Sequence, residues 1–267
     1  VSRRHAQTTR QRQQYVRQLE RVYAHLGTLG YAGQNVGSQA GIERVGSGND
    51  KPGRFLSPAE STAVMRLIQT RLDELRKAQA GKEAWMEYRD LAIVGVMIGA
   101  GLKVNHVQAL TLNCIDMREE HIELSRPGCA HRARILAFAV APIKAWLAIQ
   151  DDMHGYAAKP DRKIFEADRT VGFGRTSKTV TLSASSIHRR TQRLLGLAGI
   201  TGERACAQTL RNTYAGLLIA GGATDEHLVD YLGLHAAVTA QRLRAAFAKS
   251  RAQWEADEAG SGATAVV

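Results

Sequence analysis

The sequence has few of the residues that mark disulfide-linked or zinc-binding proteins. Three cysteines occur among 267 residues. Cys114, Cys129 and Cys206 lie far apart and form no C-x-x-C pattern, so neither a zinc site nor a disulfide framework is expected. This composition predicts a reducing, cytoplasmic setting and a protein that uses neither a metal nor another cofactor.

Long hydrophobic runs are also lacking. The longest, Leu91–Leu102, is shorter than the roughly 18 residues that a membrane span needs, and because it contains several glycines it predicts a buried helix. The arginine-rich start has no apolar signal core, so secretion is not expected. A hydrophobic share of 44% over this length still suffices for one large domain or two modest ones.

Positive charge is what the sequence has in excess. Lysine and arginine number 36 against 25 acidic residues, which gives a formal net charge of +11. Such a surplus favours a polyanionic partner, and nucleic acid first, because neutralising phosphates releases their condensed counterions. A generically basic soluble protein is the alternative that charge alone leaves open.

The chain divides into four segments by composition. Residues 2–25 carry six arginines against one glutamate, and apolar residues recur at helical spacing from Val16 to Leu26. We therefore expect a basic helical segment over 1–31 and a Gly- and Ser-rich linker over 32–53. A main domain over 54–255 and a disordered tail of small residues over 256–267 complete the chain.

Local signals predict a mainly α protein with a small antiparallel β-sheet, an α+β fold. Ser57-Pro58-Ala59-Glu60 is a helix start with a capping box, and Ser183 is a second cap. The strand signals are Ile122–Leu124 and Ile135–Val140, on either side of the basic stretch His131-Arg-Ala-Arg134. Further helices are expected over about 85–100, 104–112, 142–149, 185–195, 209–220, 225–232 and 237–255, with a loop over 166–181.

Two motifs carry a family resemblance. One runs from Gln208-Thr-Leu-Arg-Asn-Thr-Tyr-Ala215 through Ala220–Thr224 to Tyr231–Leu243, and the other is Ala100-Gly-Leu-Lys-Val-Asn-His-Val-Gln-Ala-Leu110. Together they resemble the tyrosine recombinase (phage integrase) family, which reads Thr-Gly-Leu-Arg-x-x-Glu, His-x-x-Arg, Leu-Gly-His and then a tyrosine nine residues later. The resemblance covers about 54–249 and implies the family's catalytic-domain fold, with a remnant of its core-binding domain over 1–31.

The resemblance also implies a chemistry, in which a tyrosine attacks a DNA phosphodiester while arginines and a histidine bind the phosphate. The matching positions are occupied by Lys103, Gln208, Arg211, Leu234 and Leu243. A leucine side chain has no atom that attacks phosphorus, and a lysine lacks the planar fork of an arginine. No catalytic set is intact, so we expect a protein that is not an enzyme.

A rescuing tyrosine elsewhere is the exception to that expectation. Tyr214 and Tyr231 are interpreted as core residues, Tyr15 and Tyr23 belong to the N-terminal helix, and Tyr88 belongs to a buried one.

The expected function is DNA binding without cleavage, as an accessory, architectural or regulatory factor of a mobile element or plasmid. Partners are duplex DNA, with an active tyrosine recombinase or self-association through the C-terminal helix as further candidates. Two alternatives stay open: a divergent active recombinase that uses a tyrosine from elsewhere or from a partner subunit, and a protein-interaction module on the same fold. The expected DNA-binding residues are Lys103, Arg132, Arg134, Arg175, Lys178, His188, Arg189, Arg190, Arg193, Arg211 and His235.

Overall fold

The computed structural model describes residues 9–31, 33, 53–126, 129–154, 160–167 and 181–263. Contacts along the chain define two compact units, Val1–Pro52 and Gly53–Val267. In the first unit, helix α1 covers Thr9–Thr28, and the large apolar side chains of Tyr15, Leu19 and Val22 are exposed on it. The other elements within the described residues belong to the second unit.

The first helices of the second unit begin where the sequence predicts them. Helix α2 covers Pro58–Lys77. The Ser57 hydroxyl accepts a hydrogen bond from the Glu60 N–H, and the Glu60 carboxylate accepts one from the Ser57 N–H. This capping box pairs N–H groups that a helix start otherwise leaves open. Helix α3 covers Trp85–Gly99 and is buried along nearly its whole length, as its apolar run predicts.

A three-stranded antiparallel sheet and the surrounding helices confirm the predicted fold class. Strands β1 (Ile115–Asp116), β2 (His121–Arg126) and β3 (Cys129–Arg134) pair in that order. The basic stretch lies in β3, and its side chains alternate between the two faces of the sheet. Ala133 turns inward and is fully buried, while the exposed side chains of Arg132 and Arg134 lie on the outer face.

The prediction of a strand over Ile135–Val140 is wrong. Helix α5 covers Ala137–His154 and takes up the second half of that run. A short apolar run suits a buried strand and a buried helix equally well, and close packing against α3 decides for the helix. A Cβ atom on Gly99 would lie 2.2 Å from the Cβ of Ala139, so only glycine permits this approach.

The remaining helices lie near their predicted positions. Helix α4 ends at Ala109, and a 3-10 turn over Leu112–Cys114 follows it. The last helix continues past residue 255, where alanine and glutamate favour helix. The predicted loop falls mostly outside the described residues. The bounds are Val104–Ala109 for α4, Ala184–Leu197 for α6, Ala207–Ala220 for α7, Asp225–Leu232 for α8 and Ala237–Ala263 for α9.

Apolar side chains form two cores. The larger one surrounds α3. The smaller one, called the second core below, joins α7, α8 and α9 and consists of Tyr214, Ala215, Leu218, Leu228, Leu232 and Ala240. Within the described residues, no helix is long and apolar enough to cross a membrane.

Candidate functional site

Arg211 on α7 is the buried anchor of the site. The residue is 5% exposed. Its Nη2 donates a hydrogen bond to the Leu232 carbonyl at 2.6 Å, and its Nη1 donates one to the Gly101 carbonyl. These bonds tie α7 to the end of α8 and to the turn that precedes Lys103. A planar fork with several donors suits two acceptors at once, which a lysine would not satisfy.

Tyr214 sits one helical turn further along α7 and belongs to the second core. Its side chain is fully buried, and its hydroxyl donates to the Arg134 carbonyl at 2.7 Å. Burial, and next the nearby Tyr231 hydroxyl, raise the pKa of Tyr214 far above its usual value. The ring also lies against Gly101, where a Cβ would come within 2.4 Å of Cδ1. This environment agrees with the interpretation of Tyr214 as a packing residue.

Leu234 and Leu243 fill an apolar corner of the site. Both are half-buried and pack against the second core, together with Tyr231. Tyr231 is itself half-buried and stacks on the His227 ring at 5.9 Å between centroids. Two positions that are polar in the family that the motifs resemble are therefore apolar here and pack between α8 and α9.

Gln208 lies at the start of α7 and points into a different network. Its Nε2 donates to the Asn212 Oδ1 at 2.8 Å, and the Asn212 Nδ2 donates to the Arg54 carbonyl at 3.1 Å. Gln208 is exposed, and its contacts anchor the segment that leads into α2. The sequence motif gave no sign of this role.

Two histidines lie between the hairpin and the motif segments. The buried His106 on α4 faces the His131 ring of β3 at 5.4 Å between centroids. The His131 ring rests against Gly233, where a Cβ would lie 2.4 Å from Nδ1. Gly233 also needs its left-handed φ of +57° to end α8. Glycine at this turn is thus required twice over.

The outer face of the hairpin holds the predicted Arg132 and Arg134. Arg132 is exposed, and its Nη2 lies 2.9 Å from the His121 Nδ1. The opposite ring nitrogen of His121 lies 3.3 Å from the Glu123 Oε1. Sequence analysis missed His121, because a partner across two strands leaves no local pattern.

Helix α6 divides its basic residues between two directions. Arg189 and Arg193 are exposed one turn apart, and His188 is half-buried. Arg190, which the sequence predicts to bind DNA, turns toward Asp90. Its Nη1 donates to the Asp90 Oδ2 at 2.7 Å, and its side chain is 19% exposed. A partner one hundred residues away is not visible in a helical pattern.

The Asp90 carboxylate is the centre of a buried ion cluster. Its Oδ1 also accepts from Arg89, whose side chain is 0% exposed. Arg89 donates further to the Glu166 carbonyl at 2.8 Å and lies 4.6 Å from the Trp85 ring centroid. Burial raises the pKa of Asp90, while the guanidiniums of Arg89 and Arg190 oppose that shift.

The other residues predicted to bind DNA are either exposed or outside the described part of the chain. Lys103 is exposed at the start of α4, and His235 is exposed in the turn before α9. Arg175 and Lys178 lie outside the described residues. Across the residues that the structure describes, no cluster of histidine, cysteine or carboxylate side chains has the make-up of a metal site.

Comparison with known proteins decides the family. A family model described as "Phage integrase family" matches residues 66–248. The chain belongs to the phage integrase family.

Curated family members are distant relatives of this chain. The tyrosine recombinase XerC of Rhizobium meliloti (strain 1021) is 25% identical over 203 residues, covering 74% of this chain and 59% of the relative. The XerC of Chlorobaculum parvum (strain DSM 263 / NCIMB 8327) is 24% identical over 214 residues, covering 79% and 62%. This chain thus spans about 60% of the length of these recombinases.

Solved recombinase and integrase structures share the fold. The XerA recombinase superposes with a TM-score of 0.55 at 19% identity, covering 74% of this chain and 62% of that one. The Tn1549 transposon integrase, in complex with a circular intermediate DNA, gives 0.58 at 14% identity, covering 85% and 72%. The XerH recombinase bound to a palindromic difH substrate gives 0.58 at 17% identity, covering 81% and 55%.

Membership of the phage integrase family corrects one prediction. The expectation that the chain is not an enzyme is contradicted, since the curated relatives are tyrosine recombinases, which are enzymes. That expectation rested chiefly on Leu243.

Proposed function

We propose that the chain binds duplex DNA and acts in DNA recombination, as a subunit of a tyrosine-recombinase-type assembly. One observation carries this proposal. Arg211, the arginine of the family's His-x-x-Arg motif, is fixed by two backbone carbonyls. Lys103 follows one of those carbonyls by two residues, and Arg134 is joined to the same helix through Tyr214.

The exposed charges support a phosphate-binding role. Arg189 and Arg193 lie one turn apart on α6, which packs against α4 behind Lys103. Exposed arginines bind phosphate oxygens with two parallel donors, and this sequence-independent attraction supplies most non-specific DNA affinity. Related folds in the XerH and Tn1549 structures were determined with DNA, which favours the same class of ligand here.

Strand cleavage in such an assembly needs a tyrosine from a position other than 243. Tyr88 and Tyr214 are buried and donate their hydroxyls to carbonyls, which leaves neither available for attack. Tyr231 is half-buried and packs against the second core. We therefore propose Tyr231, or a tyrosine of a partner subunit, as the group to test.

An accessory or architectural role within a mobile-element or plasmid assembly is the second candidate. The apolar packing of Leu234 and Leu243 favours it, because this corner offers no donor to a phosphate. In that case another subunit supplies the tyrosine, and this chain contributes Arg211 and DNA affinity.

The test measures binding to random-sequence duplex DNA across a salt series, with SDS-resistant adducts assayed in the same samples. If about 6–10 phosphates are contacted, affinity falls by roughly 10³–10⁵ between 50 and 200 mM salt. Absence of salt-sensitive binding contradicts the proposal and favours a protein-interaction module.

Adducts separate the two candidates. An adduct that is lost in Tyr231→Phe but kept in the control Tyr15→Phe assigns the tyrosine to this chain. An adduct that appears only when an active recombinase is added, and is linked to that recombinase, supports the accessory role.

A further inference from the structure

Three side chains on the outer face of the hairpin form a connected row. The His121 imidazole stands in the middle, with the Arg132 Nη2 at 2.9 Å from Nδ1 and the Glu123 Oε1 at 3.3 Å from Nε2. The strand register explains the row, because Glu123 pairs with Arg132 and His121 pairs with Arg134 across β2 and β3. Cross-strand partners project to the same face of a sheet.

The chemistry of the row fixes the tautomer of His121. A guanidinium is always protonated and only donates, so Nδ1 must accept from Arg132. An imidazole that accepts at Nδ1 carries its proton on Nε2. That proton then points to the Glu123 carboxylate, which accepts it. Arg132, His121 and Glu123 thus form one directed chain of hydrogen bonds.

Burial makes His121 the rigid member of the row. Its side chain is 8% exposed, whereas that of Glu123 is 65% exposed. Arg132 is exposed as well, and a free arginine side chain loses considerable rotamer entropy when it binds a ligand. A guanidinium that is already held at one nitrogen loses less, and its other donors stay available.

Two carboxylates lie near Arg132: Glu123 faces it across the strands, and Asp116 lies within electrostatic range of it. The Asp116 Oδ1 accepts from the backbone N–H groups of Arg118 at 2.8 Å and Glu119 at 3.0 Å. Within the described part of the chain, no carboxylate forms an ion pair with Arg132. The Arg132 guanidinium therefore keeps N–H donors that an external anion can accept from.

We propose that His121 is a positioning residue, which orients the Arg132 guanidinium toward a phosphate of bound duplex DNA. The inference rests on the proposed function. His121 does not touch the DNA itself; it acts through the hydrogen bond between its Nδ1 and the Arg132 Nη2.

A double-mutant cycle tests this role. Binding of a fluorescent random-sequence duplex to the full chain is measured at one salt concentration for wild type, His121→Leu, Arg132→Ala and the double variant. Leucine keeps the buried volume and removes the acceptor. We expect His121→Leu to weaken binding about five- to tenfold, and less than about twofold when Arg132 is already replaced by alanine.

A rescue variant separates positioning from packing. His121→Asn offers an oxygen acceptor with an adjacent donor, so we expect affinity within about threefold of wild type. Thermal unfolding of each variant monitors the fold. If His121→Leu does not fold, the same cycle is run with His121→Phe, which keeps a ring and removes both nitrogens.

The outcomes distinguish the inference from the function beneath it. If His121→Leu causes the same loss of affinity in wild type and in Arg132→Ala, the positioning role is overturned while DNA binding stands. Failure of the asparagine variant to recover affinity overturns it as well. No binding by the wild-type chain overturns the proposed function, and the inference falls with it.

Discussion

Arginines on α6 and α7 differ in direction more than in chemistry. Arg190 and Arg211 turn inward, where they hold Asp90 and two backbone carbonyls. Arg189 and Arg193, on the same α6 helix as Arg190, are exposed. The positive charge of this chain thus serves two purposes: inward arginines connect helices, and exposed arginines remain accessible to a ligand.

This division makes stability and DNA affinity separable quantities. Substitutions that break an inward arginine's contacts should lower the free energy of unfolding. Substitutions of outward arginines should lower DNA affinity and leave the free energy of unfolding nearly unchanged, because exposed residues without special contacts matter little to stability.

The largest effect is expected for Asp90→Ala. The change leaves the fully buried Arg89 without its carboxylate, and removing one partner of a buried ion pair costs about 3–5 kcal/mol. Urea denaturation followed by circular dichroism measures the loss. The exposed Asp152→Ala on α5 is the matched control, and a loss no larger than the control's would contradict the structural role of the cluster.

Arg211→Ala should be next in size. Two carbonyls at Gly101 and Leu232 lose their buried donor, and we expect a loss of about 2–4 kcal/mol in the free energy of unfolding. Arg251→Ala, at an exposed position on α9, controls for loss of charge. Unchanged stability in Arg211→Ala would mean that the two carbonyls find other donors.

The fold was largely predictable because its signals are local. Ser57 and Ser183 mark helix starts by capping chemistry that a few neighbouring residues determine. The misplaced strand at 135–140 shows the limit, since only packing against α3 selects helix there.

The contacts of the candidate site could not be predicted from the sequence. The motif located Arg211, Leu234 and Leu243, yet the inward turn of Arg190 depends on Asp90 one hundred residues earlier. The bond from Arg132 to His121 likewise depends on strand register rather than on sequence spacing.

Substitution of the outward arginines tests whether they contribute to DNA affinity and not to stability. The double variant Arg189→Ala with Arg193→Ala should weaken DNA binding about tenfold or more, and the slope of log K against log salt should become shallower by about two. Its free energy of unfolding should change by less than about 1 kcal/mol. A filter-binding salt series and a urea titration measure the two quantities. Strong destabilisation without loss of affinity would reverse the assignment of directions.

Leu243→Tyr should have only a small effect on stability. Leu243 is half-buried at the edge of the second core, so a tyrosine can keep its ring in contact and turn its hydroxyl outward, at a cost below about 1.5 kcal/mol. We expect no SDS-resistant adduct linked to residue 243, because catalytic groups act as a unit and Leu234 and Gln208 still offer no proton shuttle. Peptide mapping of any adduct after protease digestion provides the check.

A crystal structure of the chain with a duplex oligonucleotide would show directly whether the exposed arginines, and not the inward ones, contact DNA. We expect phosphate oxygens within hydrogen-bond distance of the Arg132, Arg189 and Arg193 guanidiniums, with Arg190 still bound to Asp90. A duplex seated on another face, with these three side chains in solvent, would contradict it.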